Sequence, residues 1–312
     1  MKLKRVGSWA LFLALFSTTM VACEKDEDNT NNPGTITDVV VNGASFTLLE
    51  KAVVRAELAT TLATTQNLTV FAPTDEAFIN AGLTEAVINS KSKEELQEVL
   101  KYHVLTSKIP ASSVPAGPNA AVATFGGKNI YVTKSGANVF VNGVQVVTAD
   151  VAASNGVIHV VNRVIVPPAG NIVQTAQAVP TLSYLVAAVL RADASGTSIS
   201  GALSGAGPLT VFAPTNDAFI AAGYPTIASI NAEDPNKLKN ILLYHVIGAR
   251  VYSSDLTEGA QPVTLQGGKV TITLSGGAKV KGATNTSATV IASTDITTTN
   301  GVVHVINGVL LP

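Results

Sequence analysis

The sequence predicts an α+β protein that contains two copies of one domain. Residues 68–78 read LTVFAPTDEAF and residues 209–219 read LTVFAPTNDAF, so the two stretches are identical at nine of eleven positions. A self-match 141 residues apart fits a whole domain rather than a solenoid unit. In each copy, segments with helical spacing precede segments with the period of a strand, without strict strand–helix alternation. This order predicts α+β architecture with a largely antiparallel β part.

Each repeat opens with a predicted helical region. In repeat 1, apolar residues from Phe46 to Leu62 fall close to helical spacing. The counterpart in repeat 2 is a helix predicted over residues 181–194, with Thr181 as its N-cap. The apolar face of this helix is predicted to carry Leu182, Leu185, Val186, Val189 and Leu190.

The duplicated stretch predicts a buried strand, a corner and a capped helix. Leu68 to Phe71 is a short run typical of a buried strand, and Pro73 ends it because proline cannot donate to a strand ladder. Thr74 is predicted to cap the next helix, with Asp75 in its first turn, where a carboxylate favours the positive helix end. The corresponding residues of repeat 2 are Thr215 and Asn216.

The next predicted helix of each repeat ends in a Tyr-His pair. In repeat 1 a capping box formed by Ser92 and Glu95 starts the helix, which ends near Tyr102-His103. In repeat 2 the helix starts at Asp234-Pro235, a cap followed by proline at the first helical position, and ends at Tyr244-His245.

The period then changes to that of strands. Residues 129–150 alternate, and FVNGV at 140–144 predicts a hairpin with an Asn-Gly turn. Residues 268–295 of repeat 2 are also strand-like but richer in Gly, Ser and Thr. Each repeat closes with a turn and an apolar strand, NGVIHVVN at 155–162 and NGVVHVIN at 300–307, which carry His159 and His304. Few residues then separate the repeats, so the two domains are expected to touch.

The N-terminal residues predict a secreted, lipid-anchored protein. A basic start and an apolar run through Ala22 are typical of a signal peptide over residues 1–22, too short for a comfortable membrane span. Cys23, the only cysteine, resembles the acylated lipobox cysteine of bacterial lipoproteins; the alternative is a nearby cleavage site and an incidental cysteine. Residues 23–34 predict a flexible tether, whose acidic start resembles the surface-export signal of Bacteroidetes-type lipoproteins. These resemblances imply an outer-membrane lipoprotein that faces outward.

The charge balance argues against nucleic acid as a partner. Removal of residues 1–22 takes away three basic residues and leaves 17 basic against 21 acidic, a net charge of −4. No basic run survives in the mature chain.

Three linked motifs occur in both repeats and together resemble the fasciclin (FAS1) domain. They are the TVFAPT stretch, the Tyr-His pair and the terminal strand that begins Asn-Gly-Val and carries the histidine. The resemblance places domain 1 at residues 35–168 and domain 2 at residues 169–312. It implies that each is a wedge-shaped, mainly antiparallel β-sandwich flanked by helices, from a family of extracellular adhesion and matrix proteins.

Histidines and acids are the candidates for chemistry. A zinc site needs three or four ligands, which acids such as Asp75 and Asp150 could complete only if the fold brought them together. In the alternative, His159 and His304 are buried residues that hold strand to helix. Similarly, a catalytic Asp75 would make Asn216 an inactive counterpart, whereas a structural acceptor explains both residues. The chain contains no Gly-x-Ser-x-Gly elbow, P-loop or His-Glu-x-x-His. We therefore predict no enzyme, no cofactor and no metal.

The Tyr-His pairs match a motif linked to integrin binding in animal fasciclin relatives. The resemblance therefore makes Tyr102, His103, Tyr244 and His245 candidate binding residues. In the alternative, each tyrosine packs at a helix end with its hydroxyl paired.

Three functions remain open at this point. The first is a lipid-anchored surface protein that adheres to a protein or polysaccharide matrix. The second is a glycan-binding accessory of polysaccharide uptake, which the loss of the only tryptophan with the signal peptide disfavours. The third is a metal-dependent enzyme that uses the histidines.

Overall fold

The computed structural model describes residues 33–312. The predicted signal peptide, Cys23 and most of the tether lie outside the described residues. Within residues 33–312, none of the helices has the length and hydropathy that crossing a bilayer requires. The helices of repeat 1 are α1 Ile36–Asn42, α2 Thr47–Arg55, α3 Ala59–Thr64, α4 Asp75–Asn80, α5 Glu85–Ser90 and α6 Lys93–Tyr102. Its strands are β1 Leu68–Pro73, β2 Val104–Leu105, β3 Gly117–Ala123, β4 Asn129–Ser135, β5 Asn138–Val141, β6 Val144–Ala153 and β7 Gly156–Val161.

Repeat 2 follows the same order. Its helices are α7 Ile172–Gln177, α8 Ser183–Asp193, α9 Ile199–Ser204, α10 Asn216–Ala221, α11 Ile227–Ala232 and α12 Pro235–Tyr244. Its strands are β8 Leu209–Pro214, β9 Val246–Ile247, β10 Thr271–Thr273, β11 Lys279–Lys281, β12 Thr289–Thr298 and β13 Gly301–Ile306.

Each repeat has one sheet in which the duplicated strand lies next to the histidine strand. In repeat 1 the strand order is β2-β1-β7-β6-β5-β4-β3, and only the β1–β7 pair is parallel. In repeat 2 the order is β10-β11-β12-β13-β8-β9, with β8 and β13 parallel. The long strands β6 and β12 contain register shifts, which bend and twist the sheet. The predicted α+β class, with largely antiparallel pairing, is confirmed.

Repeat 2 has no counterpart of β3 among its described strands. Residues 117–123 of repeat 1 pair with β4, whereas the matching region of repeat 2 makes only isolated bridges. Pro262 stands in that region and has no N–H to donate to a ladder. Strands β10 and β11 contain only three residues each, in the region that is rich in Gly, Ser and Thr.

Local signals located most helix starts correctly, and one was wrong. Ser92 and Glu95 form the predicted capping box of α6, and Asp234 caps α12. Thr181 is not a cap, because it lies inside a 3-10 turn and α8 begins at Ser183. Leu190 was placed on the apolar face of that helix, yet its side chain is 61% exposed. The predicted helical region from Phe46 to Leu62 is divided into α2 and α3 by a turn at Glu57, where φ is 54°.

The predicted Asn-Gly hairpin joins β5 to β6. Asn142 and Gly143 have φ values of 48° and 77°, the pair of positive values that a two-residue type I′ turn requires. The hairpin is therefore confirmed.

The apolar residues of each repeat form two clusters. Helices pack around β1 in repeat 1 and around β8 in repeat 2, and a second cluster fills the space among the strands of each sheet. Each repeat therefore has its own core, and residues 33–312 together form one compact unit.

Candidate functional site

The corner after the duplicated strand ties two helices together. Thr74 Oγ1 accepts from the N–H of Ala77 at 3.2 Å, so it caps α4 as predicted, and Thr215 caps α10 in the same way. Asp75 Oδ1 accepts from the N–H of Leu48, in the first turn of α2, at 2.7 Å. This N–H has no partner inside its own helix. Asp75 therefore joins the start of α4 to the start of α2.

Asn216 takes the role of Asp75 at the corresponding position of repeat 2. Its Oδ1 accepts from the N–H of Tyr184, in the first turn of α8, at 2.9 Å. Its amide nitrogen also donates to the carbonyl of Pro180 at 3.1 Å and to the hydroxyl of Ser183 at 3.0 Å. Because an acceptor oxygen is what both positions share, the exchange of Asp for Asn needs no catalytic explanation.

Two substitutions of Asp75 distinguish the effect of its hydrogen-bond acceptor on stability from the effect of its negative charge. Asp75→Ala leaves the N–H of Leu48 without a partner and is expected to cost about 1–2 kcal/mol of unfolding free energy. Asp75→Asn keeps the acceptor, as repeat 2 does, and should stay within about 0.5 kcal/mol of wild type. Urea unfolding of the two variants measures both values. An equal loss in both would mean that the negative charge itself stabilises the corner.

The tyrosine of each Tyr-His pair lies in the interior. Tyr102 Oη donates to the carbonyl of Asn129 and accepts from the amide of Asn142, both at 2.9 Å. Tyr244 Oη donates to the carbonyl of Lys269 and accepts from the N–H of Ala283 at 2.8 Å. Burial raises the pKa of Tyr102 far above its usual value. Each tyrosine thus fastens a helix end to the sheet.

The histidine of each pair is also buried, and both its ring nitrogens are bonded. His103 Nε2 accepts from the N–H of Ile165 at 2.9 Å, so the proton sits on Nδ1, which donates to the carbonyl of Val99 at 2.8 Å. His245 repeats the pattern with Leu310 and Ile241, at 2.8 Å each. Burial lowers the pKa of both histidines to about 4. Tyr102, His103, Tyr244 and His245 are therefore buried and hydrogen-bonded within the fold, and a role of these residues in binding stays a prediction.

His159 and His304 hold strands and loops rather than helices. His159 Nδ1 accepts from the N–H of Asp150 at 3.2 Å, and its Nε2 donates to the carbonyl of Ile109 at 2.9 Å. His304 has the same partners in repeat 2, Asp295 and Val251, at 3.3 and 2.9 Å. The predicted hydrogen bonds from strand to helix are therefore wrong. In each repeat the ring instead links the bulged neighbouring strand to a loop, which follows β2 in repeat 1 and β9 in repeat 2.

No free histidine lone pair remains among these four rings, since every acceptor nitrogen already receives a backbone N–H. Within residues 33–312, no three His, Cys, Asp or Glu side chains are placed to share a metal ion. The histidines thus act as struts of the fold.

A polar network joins the two repeats. The guanidinium carbon of Arg250 lies 3.8 Å from the centre of the Tyr131 ring, a cation–π contact. The amide of Asn119 donates to the carbonyl of Arg250 at 2.8 Å and to the carboxylate of Asp255 at 2.9 Å. A second link pairs Arg163 with the buried carboxylate of Asp295 at 2.9 Å.

Tyr252 of repeat 2 is the fully buried aromatic residue of this junction. Its ring lies 6.3 Å from that of Tyr131, and its hydroxyl reaches Thr297 at 3.2 Å and Asn142 at 3.4 Å. Asn142 is also the residue that donates to Tyr102, so the interior of repeat 1 is connected to repeat 2 through two hydrogen bonds. Burial is the main cause that raises the pKa of the Tyr252 hydroxyl to about 12.

The short connection predicts that the domains touch, but no sequence motif singles out the residues of this junction. Counting from the Tyr-His pairs, Tyr252 corresponds to Pro110 and Asp255 to Ser113. The exchange of Pro110 for Tyr252 and of Ser113 for Asp255 is a difference between the repeats that coincides with the junction.

The chain is thus a tandem-repeat protein of two α+β domains, each with two buried histidines at matching places. Residues 44–167 and 181–312 each match the family model described as "Fasciclin domain". The chain belongs to the fasciclin domain family. The predicted domain limits, 35–168 and 169–312, contain these ranges, and their exact positions stay a prediction.

Several known proteins are similar to this chain. Protein sll1483 of Synechocystis is 36% identical over 165 residues, which cover 52% of this chain and 90% of that protein. Transforming growth factor-beta-induced protein ig-h3 of Sus scrofa is 30% identical over 250 residues, 79% of this chain and 35% of that protein. The chain thus spans about a third of the length of ig-h3. A solved FAS1 domain pair from the insect cell adhesion molecule fasciclin I has 17% identity and a TM-score of 0.41, covering 88% of this chain and 96% of that chain.

Proposed function

We propose that this protein is a non-catalytic, lipid-anchored protein of the outer membrane that faces outward and adheres to the extracellular matrix. The observation that supports the non-catalytic part of this proposal is the bonding of the histidines, because every histidine of the two domains has both ring nitrogens bonded within the fold. The lipid would be attached to Cys23, the first residue of the tether over residues 23–34.

One surface has the chemistry of a docking site for an anionic matrix polymer. In repeat 1, the face of β4 that carries Tyr131 and Thr133 contacts repeat 2. The strand of repeat 2 that corresponds to β4 is β10, which pairs with β11. On these two strands, Thr271 lies opposite Lys281 and Thr273 lies opposite Lys279. Their neighbours Ile272 and Val280 are buried, so these four side chains share the face away from the core. Within the described chain, neither lysine has an ion pair.

We commit to a carboxylated polysaccharide as the partner of this lysine–threonine face. Two lysines on one sheet face attract carboxylates, and the threonine hydroxyls can bond sugar oxygens. The glycan-uptake alternative would favour exposed aromatic side chains. Among the exposed large hydrophobic residues of the described chain, Phe125 is the only aromatic one, at 39% exposure. The surface therefore suits a charged polymer better than stacking on sugar rings.

The proposal is tested with bacterial cells that make one of three proteins. These are the wild type, the variant Cys23→Ser, and the double variant Lys279→Glu with Lys281→Glu. Protease added to intact cells should cleave the wild-type protein from the surface, and Cys23→Ser should no longer be held at the surface. Cells with wild-type protein should adhere to alginate more than to neutral dextran, and less at high salt. The double lysine variant should lose most of this adhesion.

Lys108→Glu with Lys239→Glu is the matched control, because it makes the same change in charge at two lysines that also have no ion pair within the described chain. It should adhere like wild type. Protein that resists protease until the outer membrane is opened would refute surface adhesion and favour a periplasmic role. Exposed protein without adhesion to any matrix polymer would refute the matrix function.

A further inference from the structure

Repeat 2 contains an apolar pocket that is almost closed in repeat 1. The pocket has a volume of about 260 Å³ and lies among α7, α8, α9, β8 and the end of α12. The matching place in repeat 1, among α1, α2, α3 and β1, has about 30 Å³ of free space. The deeper wall of the pocket is formed by Ile172, Ala176, Leu185, Val189, Leu203 and Leu242.

One difference between the repeats contributes to the extra space. Ala176 stands on α7 where repeat 1 has the larger Val40 on α1. The pocket is thus a property of this repeat and not of the fold.

The lining offers no buried partner to a polar ligand. His245 has both ring nitrogens bonded to the backbone, and the hydroxyl of Ser200 donates to Asp193 at 2.6 Å. Gln177 is exposed at the mouth, beside Leu190, the leucine whose side chain is 61% exposed. An apolar interior with a polar residue and an exposed leucine at its mouth suits an amphiphile whose head group stays in water.

We propose that this pocket binds the acyl chain of a medium-chain amphiphile, with the head group beside Gln177. An apolar cavity of about 150 Å³ is large enough to take up benzene, so the larger pocket here has room for a chain of roughly eight to ten carbons. Since burial of each methylene is favourable by a constant increment, affinity should rise roughly fourfold per added methylene until the pocket is full. This site is separate from the lysine–threonine face on β10 and β11.

Titration of the full chain carrying Cys23→Ser with octanoate, decanoate and dodecanoate tests the proposal. The Cys23→Ser change removes the protein's own lipid as a competitor, and concentrations are kept below micelle formation. Calorimetry should show saturable binding of one chain per protein, with affinity that rises from octanoate and levels off once the pocket is full. The absence of saturable binding by all three acids would overturn the proposal.

Ala176→Leu fills the pocket and should weaken binding at least tenfold. The matched control is Ala178→Leu, an exposed position two residues further on that does not line the pocket, and it should bind like the parent chain. Ala176→Val restores the residue that repeat 1 has at this place, Val40, and narrows the pocket by a smaller change. Circular dichroism shows which variants are folded, and a folded Ala176→Leu that binds like the parent would overturn the proposal.

Discussion

Lowering the pH from 7 to 5 is expected to reduce the unfolding free energy by about 4 kcal/mol through His103 and His245 alone. Burial holds the pKa of both side chains at about 4, whereas an unfolded histidine titrates near 6.5. Between these values the unfolded chain binds protons that the folded chain does not. Stability is therefore complete above pH 6.5 and is lost as the pH falls towards 4, by about 2 kcal/mol per histidine at pH 5.

Hydrogen bonding explains why the folded rings resist protonation. A proton on Nε2 of His103 would point at the N–H of Ile165, and one on Nε2 of His245 at the N–H of Leu310. The fold would have to give up these bonds and the contacts of the loops that carry them. Hydrogen bonds, chiefly from Ser92 and from Lys237 respectively, lower the pKa of Glu95 and that of Glu233, so these two carboxylates titrate below the histidine range.

Urea unfolding at pH 7, 6 and 5 and at fixed ionic strength measures this effect. His103→Gln and His245→Gln each remove one titrating group, so each variant should be less stable than wild type at pH 7 but lose about 2 kcal/mol less on acidification to pH 5. Equal stability of the wild-type protein at pH 7 and pH 5 would contradict the assignment of both histidines as neutral struts.

Features that depend on a few neighbouring residues could be predicted from the sequence. The Thr74 cap, the Ser92–Glu95 capping box and the Asn142-Gly143 turn each involve residues at most three positions apart. Their physics is local, so the pattern is sufficient. The α+β class also followed from the order of the segments, since that order decides which strands can pair.

Features that depend on distant partners could not be predicted in this way. The helical period cannot tell whether Leu190 faces a core or the mouth of a pocket, because that depends on which distant elements pack against α8. The partners of His159 are 9 and 50 residues away, at a bulge and in a loop, so the sequence pattern identifies the histidine but not the groups that it bonds. The junction residue Tyr252 meets Asn142, 110 residues earlier, and no motif marks either one.

Tyr252→Ala is expected to cost about 3–5 kcal/mol of unfolding free energy, the range for removing a large buried aromatic side chain. The change removes the ring that packs against Tyr131 and both polar contacts of the hydroxyl. It also opens a cavity between two domains that each have their own core, rather than within one of them. The substitution should therefore weaken the cooperativity of unfolding between the two repeats more than the stability of either repeat alone.

Calorimetry of wild type, Tyr252→Ala and Tyr252→Phe distinguishes this from a general loss of stability. Tyr252→Phe keeps the ring and gives up only hydrogen bonds of 3.2 and 3.4 Å, so it should cost about 1 kcal/mol and keep one cooperative transition. Tyr252→Ala should split the transition in two, because domains with separate cores unfold independently once their interface is weakened. A single transition in Tyr252→Ala, shifted by the full 3–5 kcal/mol, would mean that Tyr252 stabilises repeat 2 from within. The contacts with Asn142 and Tyr131 would then be a consequence of the fold of repeat 2 and not a cause of the coupling between the repeats.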